Sequence, residues 1–206
     1  MIACGRRSIL PALYVKEENR DVTKLIYLQD PKISVRHFDI VICPAHDNLK
    51  GDNVINMVGA PHRVTAENLD SGIKAFKGEF SKYKKSRIGV LIGGPNRVYN
   101  LDETVAEEIA NNLLELESQG YSLIVSPSRR TPKSIVKFFK EKFAGHHNIY
   151  FWNREGENPY FAILALSDIL MLTCDSVSMA SEAISTDKPV YLLSLPGGSK
   201  KFEAFQ

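Results

Sequence analysis

At 206 residues the chain has room for one large domain or two small ones, and for a proper buried core. Hydrophobic residues make up 44% and charged residues 24%, an ordinary balance, and a formal charge of +2 supplies no basic field, so nucleic acid is not an expected partner. No apolar run approaches the ~20 residues that span a bilayer, and the opening "MIACGRR" lacks the apolar core and cleavage site of a signal peptide, so no transmembrane segment is expected.

Residues 1–64 read as a partial amino-terminal α/β domain: a strand "MIACG", a short helix from about Ser8, then strands "KLIYLQ", "FDIVIC" and "NVINMVG". Residues 65–86 read as a connecting helix that starts at Thr65 and runs into the basic "KYKKSR", whose charge reads as a solvated face. From Arg87 to residue 206, short apolar runs alternate with helical segments. They are "IGVLIGG", a helix over 102–118, "SLIVS", a helix over 132–143, "NIYFW", a helix over 159–167, "DILMLT", a helix over 176–186, and "PVYLLS". Strands that read as continuous apolar runs between helices predict a parallel sheet covered on both faces, so the fold class is α/β. Met1 falls almost inside a strand and Gln206 follows soon after the last one, so the chain reads as a fragment of something longer.

Local punctuation agrees with that pattern. Asn100 with Glu103 resembles a capping box, Val105, Ile109, Leu113 and Leu116 recur at helical spacing, and Gly120 ends the run. Thr131-Pro132 and Asn158-Pro159 each read as a polar cap followed by proline in the first helical position. Cys4, Cys43 and Cys174 each sit in an apolar run without a CxxC pair or nearby His, which speaks for small buried hydrophobes in a reducing cytoplasm rather than zinc or disulfides. No metal and no cofactor are expected, and the expected location is cytoplasmic.

In an open parallel sheet, ligands bind beyond the carboxyl ends of the strands. After "IGVLI" come Gly93, Gly94, Pro95 and Asn96, whose glycines allow close backbone approach and could present N–H groups to a phosphate. After "SLIVS" come Ser128, Arg129 and Arg130, and a guanidinium holds phosphate oxygens bidentately. After "DILMLT" come Asp175, Ser176 and Ser178, with hydroxyls and orphan N–H groups in the first turn of a helix and Glu182 one to two turns on, where a carboxylate can accept from the vicinal hydroxyls of a ribose. Each cluster alone reads as a turn, a solvated helix entry or a cap; their joint placement at successive strand ends points to a diphosphate.

In the amino-terminal part, Arg6 and Arg7 follow the first strand, and His46-Asp47 follow "FDIVICPA", so both pairs are expected at an interdomain cleft. A His of near-neutral pKa beside a carboxylate can act as general base toward a sugar hydroxyl or water, which makes His46 and Asp47 the candidate catalytic pair; a turn-fixing pair is the plainer reading. His62 reads as positioning the connector, and His146-His147 as a solvent-facing turn without a third metal ligand.

The segment "DSVSMASEAISTDKPVY" resembles the nucleotide-sugar-binding segment of GT-B-fold proteins, which include glycosyltransferases and UDP-sugar 2-epimerases. That resemblance implies that Glu182 binds ribose, that the Asp175–Ser178 turn faces the diphosphate, and that the loop "NREGEN" before Asn158 lies near the base. Across nearly the whole chain, "CGRR", "QDP", "FDIVICPAHD", "GAPHRVT", "IGVLIGGPN", "SPSRRTP", "GENPYFAILALSDILMLTCDSVSMASEA" and "KPVYLLSLPGGSKKF" are together similar to the mitochondrial fission ELM (elongated mitochondria) family. Plant members of that family are linked to organelle division through dynamin-related partners, and bacterial members are labelled nucleoside-diphosphate-sugar epimerase-like. The resemblance implies two Rossmann-like domains of GT-B type, the amino-terminal one incomplete. It also implies a nucleoside-diphosphate sugar as ligand, for a glycosyltransferase or epimerase-like activity. The alternatives are a non-catalytic adaptor of the same fold with a protein partner, and a truncated relic. Asp187 departs from the family pattern, standing where Gly usually precedes Lys-Pro.

Overall fold

The structure is a computed structural model in which residues 1–20, 22–83 and 86–198 are described. The chain divides into two compact units, Met1–Ala60 and a larger one from Pro61 onward.

The first unit holds β1 (Ile2–Cys4), α1 (Ile9–Glu18), β2 (Ile26–Leu28), β3 (Ile40–Pro44) and β4 (Val54–Met57). Its four strands are parallel in the order β1-β2-β3-β4. Every second residue turns to one side, where Ala3, Tyr27 and Val41 pack with Ile9 and Ala12 of α1 and with Leu25 and Phe38. Asp39 pins the entry to β3: its Oδ2 accepts from the Leu25 amide at 2.7 Å and pairs with Lys16 Nζ at 2.8 Å. The amide and the ammonium both favour the charged form and hold this carboxyl below the usual range, the Leu25 bond most strongly.

The second unit begins with α2 (Ala66–Phe80) and continues through β5 (Arg87–Ile92), α3 (Glu103–Ser118), β6 (Ser122–Pro127), α4 (Lys133–Lys142), β7 (Ile149–Phe151), α5 (Tyr160–Leu166), β8 (Ile169–Thr173), α6 (Val177–Ile184) and β9 (Val190–Leu193). Its five parallel strands run β7-β6-β5-β8-β9, so the chain moves outward in one direction from β5 and then in the other from β8. That reversal opens a crevice at the carboxyl ends of the central strands. One face of the sheet packs Val90, Leu123 and Val125 against Val105, Ile109 and Leu113 of α3 and Phe139 of α4. On the other, Gly89 lies so close to α5 that an added Cβ would sit 2.6 Å from Ile163 Cγ2. The helix read as a connector packs within this unit: Gly72 of α2 meets the backbone of Phe161 and Ala162 on α5, where a Cβ would come 2.6 Å from an amide nitrogen.

Every predicted strand and helix is present, but α2 ends at Phe80 and does not run into the basic segment, and the caps differ. Asp102, not Asn100, caps α3, accepting from Val105 N at 3.0 Å, while Asn100 Nδ2 donates to Asp102 at 2.7 Å. Thr131 does not cap α4, because its hydroxyl is drawn back to the end of β5, donating to the carbonyls of Ile92 at 3.1 Å and of Gly93. Asp187 adopts φ +56°, the left-handed conformation in which Gly is the easier residue. Lys188 then reaches the end of α5, where its ammonium donates to the carbonyls of Ala165 at 2.6 Å and Ser167 at 2.5 Å. Among the described residues, no helix is long and apolar enough to cross a membrane.

Candidate functional site

The carboxyl ends of β5 and β8 are joined by a buried polar knot. Asp175 has a side chain with 0% exposure, an arrangement that is costly unless each oxygen finds donors. Its Oδ1 accepts from Thr173 Oγ1 at 2.5 Å, and its Oδ2 accepts from Gly94 N at 3.2 Å and pairs with the Arg130 guanidinium. Thr173 Oγ1 in turn accepts from Gly93 N at 2.7 Å, and Arg130 Nη1 donates to Gly94 O at 3.4 Å. Asn96 completes the turn, with Oδ1 accepting from Val98 N and Tyr99 N and Nδ2 donating to Asp175 O.

Two expectations change here. The N–H groups of Gly93 and Gly94, expected to face a phosphate, are bound inward by Thr173 and Asp175. Asp175, expected in a turn facing the diphosphate, lies beneath the surface as the acceptor of this knot. Packing explains the glycines: a Cβ on Gly93 would sit 2.1 Å from Asp175 Oδ1, and one on Gly94 would sit 2.4 Å from the Arg130 backbone.

Beside the knot opens a cavity of about 670 Å³, within the range of small-molecule pockets. Its wall combines the end of β6 (Ser128, Arg129), the segment after β7 (Trp152, Arg154, Glu157, Asn158), α5 (Tyr160, Phe161), α6 (Met179, Glu182) and Arg63, which precedes α2. Three arginines against two carboxylates give the lining a positive balance suited to an anion. Met179 and Glu182 are three residues apart and so share one face of α6. The Tyr160 hydroxyl donates to Glu182 Oε2, which fixes one carboxylate oxygen and leaves the other lone-pair edge to serve a ligand. Burial, then the bond to Glu182, pushes the Tyr160 phenol far up from its ordinary value of 10.0.

The loop after β7 is held by its own side chains. Trp152 Nε1 donates to Glu155 O at 2.9 Å, Asn153 Nδ2 to Glu155 Oε2 at 2.6 Å, and Arg154, at φ +71°, reaches Thr131 O with Nη2 at 2.5 Å. Asn158 Oδ1 accepts from Tyr160 N, the first amide of α5, at 3.0 Å, and the residue also lines the cavity.

Of the candidate binding residues, Ser128, Arg129, Asn158 and Glu182 therefore meet in one wall. Gly93, Gly94, Asn96, Arg130 and Asp175 form the knot instead. Ser176 caps α6, its Oγ accepting from Met179 N at 3.3 Å, and Ser178 lies exposed in the first turn. In the first unit, Arg6 and Arg7 follow β1 as exposed residues, and His46 and Asp47 are half-buried in a 3-10 turn after β3, on the same rim of that sheet. Lys32, paired with Asp30 at 2.5 Å after β2, joins that rim and carried no sequence signal. His62 Nδ1 accepts from Val64 N at 3.3 Å, and His146 is not a free turn residue but pairs with Glu117 Oε2 of α3 at 2.5 Å. Among the described residues, no group of three His, Cys, Asp or Glu is placed to hold a metal ion. Arg63, Trp152, Arg154, Tyr160 and Phe161 were missed; only the "NREGEN" loop pointed near any of them, since Arg63 and Tyr160 reach the cavity through folding alone.

A family model described as Mitochondrial fission ELM1 matches residues 1–206. The mitochondrial fission protein ELM1 of Arabidopsis thaliana is 28% identical over 229 residues, a match that covers 100% of this chain and 54% of the plant protein. The uncharacterized protein RP120 of Rickettsia prowazekii (strain Madrid E) is also 28% identical over 229 residues, covering 95% of this chain and 64% of its own length. The chain thus spans 54% and 64% of the two relatives, less than two thirds of either. Among solved structures, the UDP-GlcNAc 2-epimerase of Neisseria meningitidis bound to UDP-GlcNAc superposes with a TM-score of 0.60 at 15% identity, covering 98% of this chain and 61% of the epimerase. The UDP-GlcNAc 2-epimerase of Methanocaldococcus jannaschii gives 0.61 at 12%, covering 99% and 68%. At such identities the likeness is one of fold: parallel α/β units of the Rossmann-like, GT-B type.

Proposed function

This chain belongs to the mitochondrial fission ELM1 family, and from that premise we propose that its second unit binds a nucleoside-diphosphate sugar in the cavity at the carboxyl ends of β6 and β8. The observation that carries the reading is the joint presence, in one wall, of Arg129 and Glu182, the carboxylate being oriented by Tyr160. In this reading Arg129 and Arg63 take the diphosphate, Glu182 accepts from the ribose hydroxyls, and Trp152 offers its ring to the base. Anion binding rests on guanidinium groups and not on the Gly93-Gly94 amides, which the knot already uses. The similarity in fold to an epimerase bound to UDP-GlcNAc supports the choice of ligand class. Calorimetric titration with UDP-GlcNAc and UDP tests it. Binding that Glu182→Ala and Arg129→Ala abolish is expected, and a flat titration with every nucleotide sugar would reject the reading.

The proposed chemistry is transfer or epimerisation of the sugar, with His46 beside Asp47 in the first unit as general base. His46→Ala is then expected to keep nucleotide binding and lose turnover. A second reading, a non-catalytic adaptor, is favoured by the fission role in the plant relative's name and by the cavity's one Tyr–Glu pair being locked to itself. Tight nucleotide binding with no turnover of any sugar would favour the adaptor.

A further inference from the structure

The floor of the cavity in the second unit holds a hydroxyl that the fold itself does not use. Ser126 is only 4% exposed and lines the cavity from the end of β6. Among the described residues, no group makes a hydrogen bond with its Oγ. Buried polar side chains nearby behave differently: Thr131, Thr173 and Asp175 all use their oxygens inside the knot. Ser167 Oγ is unpaired as well, but it is packed against Gly89, where an added Cβ would come within 2.5 Å of it, so no ligand can reach it. Ser126 combines burial, an unpaired hydroxyl and open space beside it. Such a group lowers stability until something entering the cavity pairs with it.

Register sets what surrounds this hydroxyl. Ser126 stands opposite Leu91 of β5, and Trp152 N donates to the neighbouring Val125 O at 3.0 Å, which brings Trp152 alongside from the end of β7. Val90, Ile92, Val125 and Phe151 pack on the α3 side of the sheet, so by strand alternation Leu91, Ser126 and Trp152 face the other side, where all of them line the cavity. They form one row across adjacent strand ends, with the hydroxyl between an indole and an isobutyl group. Phe161 of α5 and Met179 of α6 add apolar surface to the same cavity. Arg63 and Arg129, by contrast, are exposed, so the cations sit toward solvent and the hydroxyl sits deep.

We propose that Ser126 reads the base of the bound nucleotide, its hydroxyl sharing a hydrogen bond with the polar edge of the ring that Trp152 and Leu91 flank. This role rests on the nucleoside-diphosphate-sugar reading, in which the base otherwise has only the Trp152 ring. The diphosphate belongs with the exposed guanidiniums and the ribose with Glu182, which leaves the deep, apolar part of the cavity to the least hydrated part of the ligand. A pyranose suits that floor poorly, because its several hydroxyls would meet one polar partner among apolar side chains. A base has apolar faces and a hydrogen-bonding edge, and a serine hydroxyl can donate to a ring carbonyl or accept from a ring N–H. A ligand without that edge leaves the hydroxyl buried and unpaired, which is how a hydrogen-bonding site discriminates against it.

Ser126→Ala tests the role, with affinities measured by calorimetry for UMP, ribose 5-phosphate, UDP and UDP-GlcNAc. UMP and ribose 5-phosphate share their phosphate and differ at the base. The parent is expected to bind UMP the more tightly, and the variant to lose about tenfold of that advantage while its affinity for ribose 5-phosphate stays unchanged. The change in affinity from UDP to UDP-GlcNAc should be the same in both proteins. Removing an unpaired hydroxyl takes nothing from the free protein, so the denaturant midpoint of the variant should be no lower than that of the parent. A midpoint that falls would make Ser126 a structural residue and overturn the proposal. Equal UMP affinity in parent and variant would also overturn it, as would a loss confined to UDP-GlcNAc, which would put the hydroxyl on the sugar. In those outcomes the parent still binds UDP and the ligand class stands, whereas a parent that binds none of the probes refutes the ligand class and the base contact together.

Discussion

Glu182 and Tyr160 stand 22 residues apart and are joined by one hydrogen bond, the phenol of α5 donating to the carboxylate of α6. The contact ties together two helices that reach the cavity from different strand connections. It also decides which oxygen of Glu182 is left to a ligand.

Tyr160→Phe is expected to weaken UDP-GlcNAc binding about tenfold, the worth of a hydrogen bond to a charged group of ~1.4 kcal/mol, without changing the fold. Calorimetry on parent and variant measures it. An unchanged affinity would separate the pair from the ligand.

The same phenol makes alkaline stability specific to this pair. Its folded pKa lies above the ordinary 10.0, because burial and the Glu182 carboxylate disfavour the phenolate. Below pH 10 the phenol is protonated folded and unfolded, and its contribution is fully present. Above that, the unfolded chain releases a proton that the folded chain keeps, so stability falls as pH rises toward the folded value. Denaturant midpoints measured across this window should fall less steeply for Tyr160→Phe than for the parent.

Asp39 gives the opposite slope. The Leu25 amide and Lys16 hold its pKa below the ordinary 3.8, so its contribution is present above that value and disappears as pH falls through the lower folded pKa. Amide exchange in β2 and β3 should accelerate in acid, and Asp39→Asn should flatten that response while lowering stability at neutral pH.

In the buried knot, Asp175→Ala strands the Gly94 amide and the Thr173 hydroxyl and leaves Arg130 without its partner, at a cost of about 3 kcal/mol. Equilibrium denaturation reads that loss. Gly93→Ala should be comparably damaging, since its methyl would overlap Asp175 Oδ1.

These results show why the fold was legible in the chain and the site only partly so. Strands such as "IGVLI" and "SLIVS" are nearly continuous apolar runs because both faces of their sheet are buried, and each helix carries its own stop or start signal within a few residues. Gly93 is different: its chemistry is set by Asp175, a residue that folding brings in from another strand, so a loop fit for phosphate and a loop fit for a buried carboxylate look alike. Arg129 was legible because it stands two residues past the end of β6, and Glu182 because it lies on the helix that Ser176 caps. Arg63 and Tyr160 were not, since neither stands at a strand end and both owe their place in the wall to how α2 and α5 pack.

That packing provides the last test, on two glycines of one helix. Gly72 of α2 abuts the backbone of Phe161 and Ala162, so a Cβ there must push α2 from α5, whereas a Cβ on Gly78 meets nothing within 4 Å. Gly78→Ala is therefore expected to stabilise by about 0.5–1 kcal/mol through helix propensity, and Gly72→Ala to destabilise by about 1–3 kcal/mol through overpacking. Because Tyr160 and Phe161 line the cavity, the Gly72 variant should also weaken nucleotide binding although residue 72 lies outside the wall. Denaturation and calorimetry on the two variants separate these effects. Equal behaviour of the two would mean that the α2–α5 contact does not position the site.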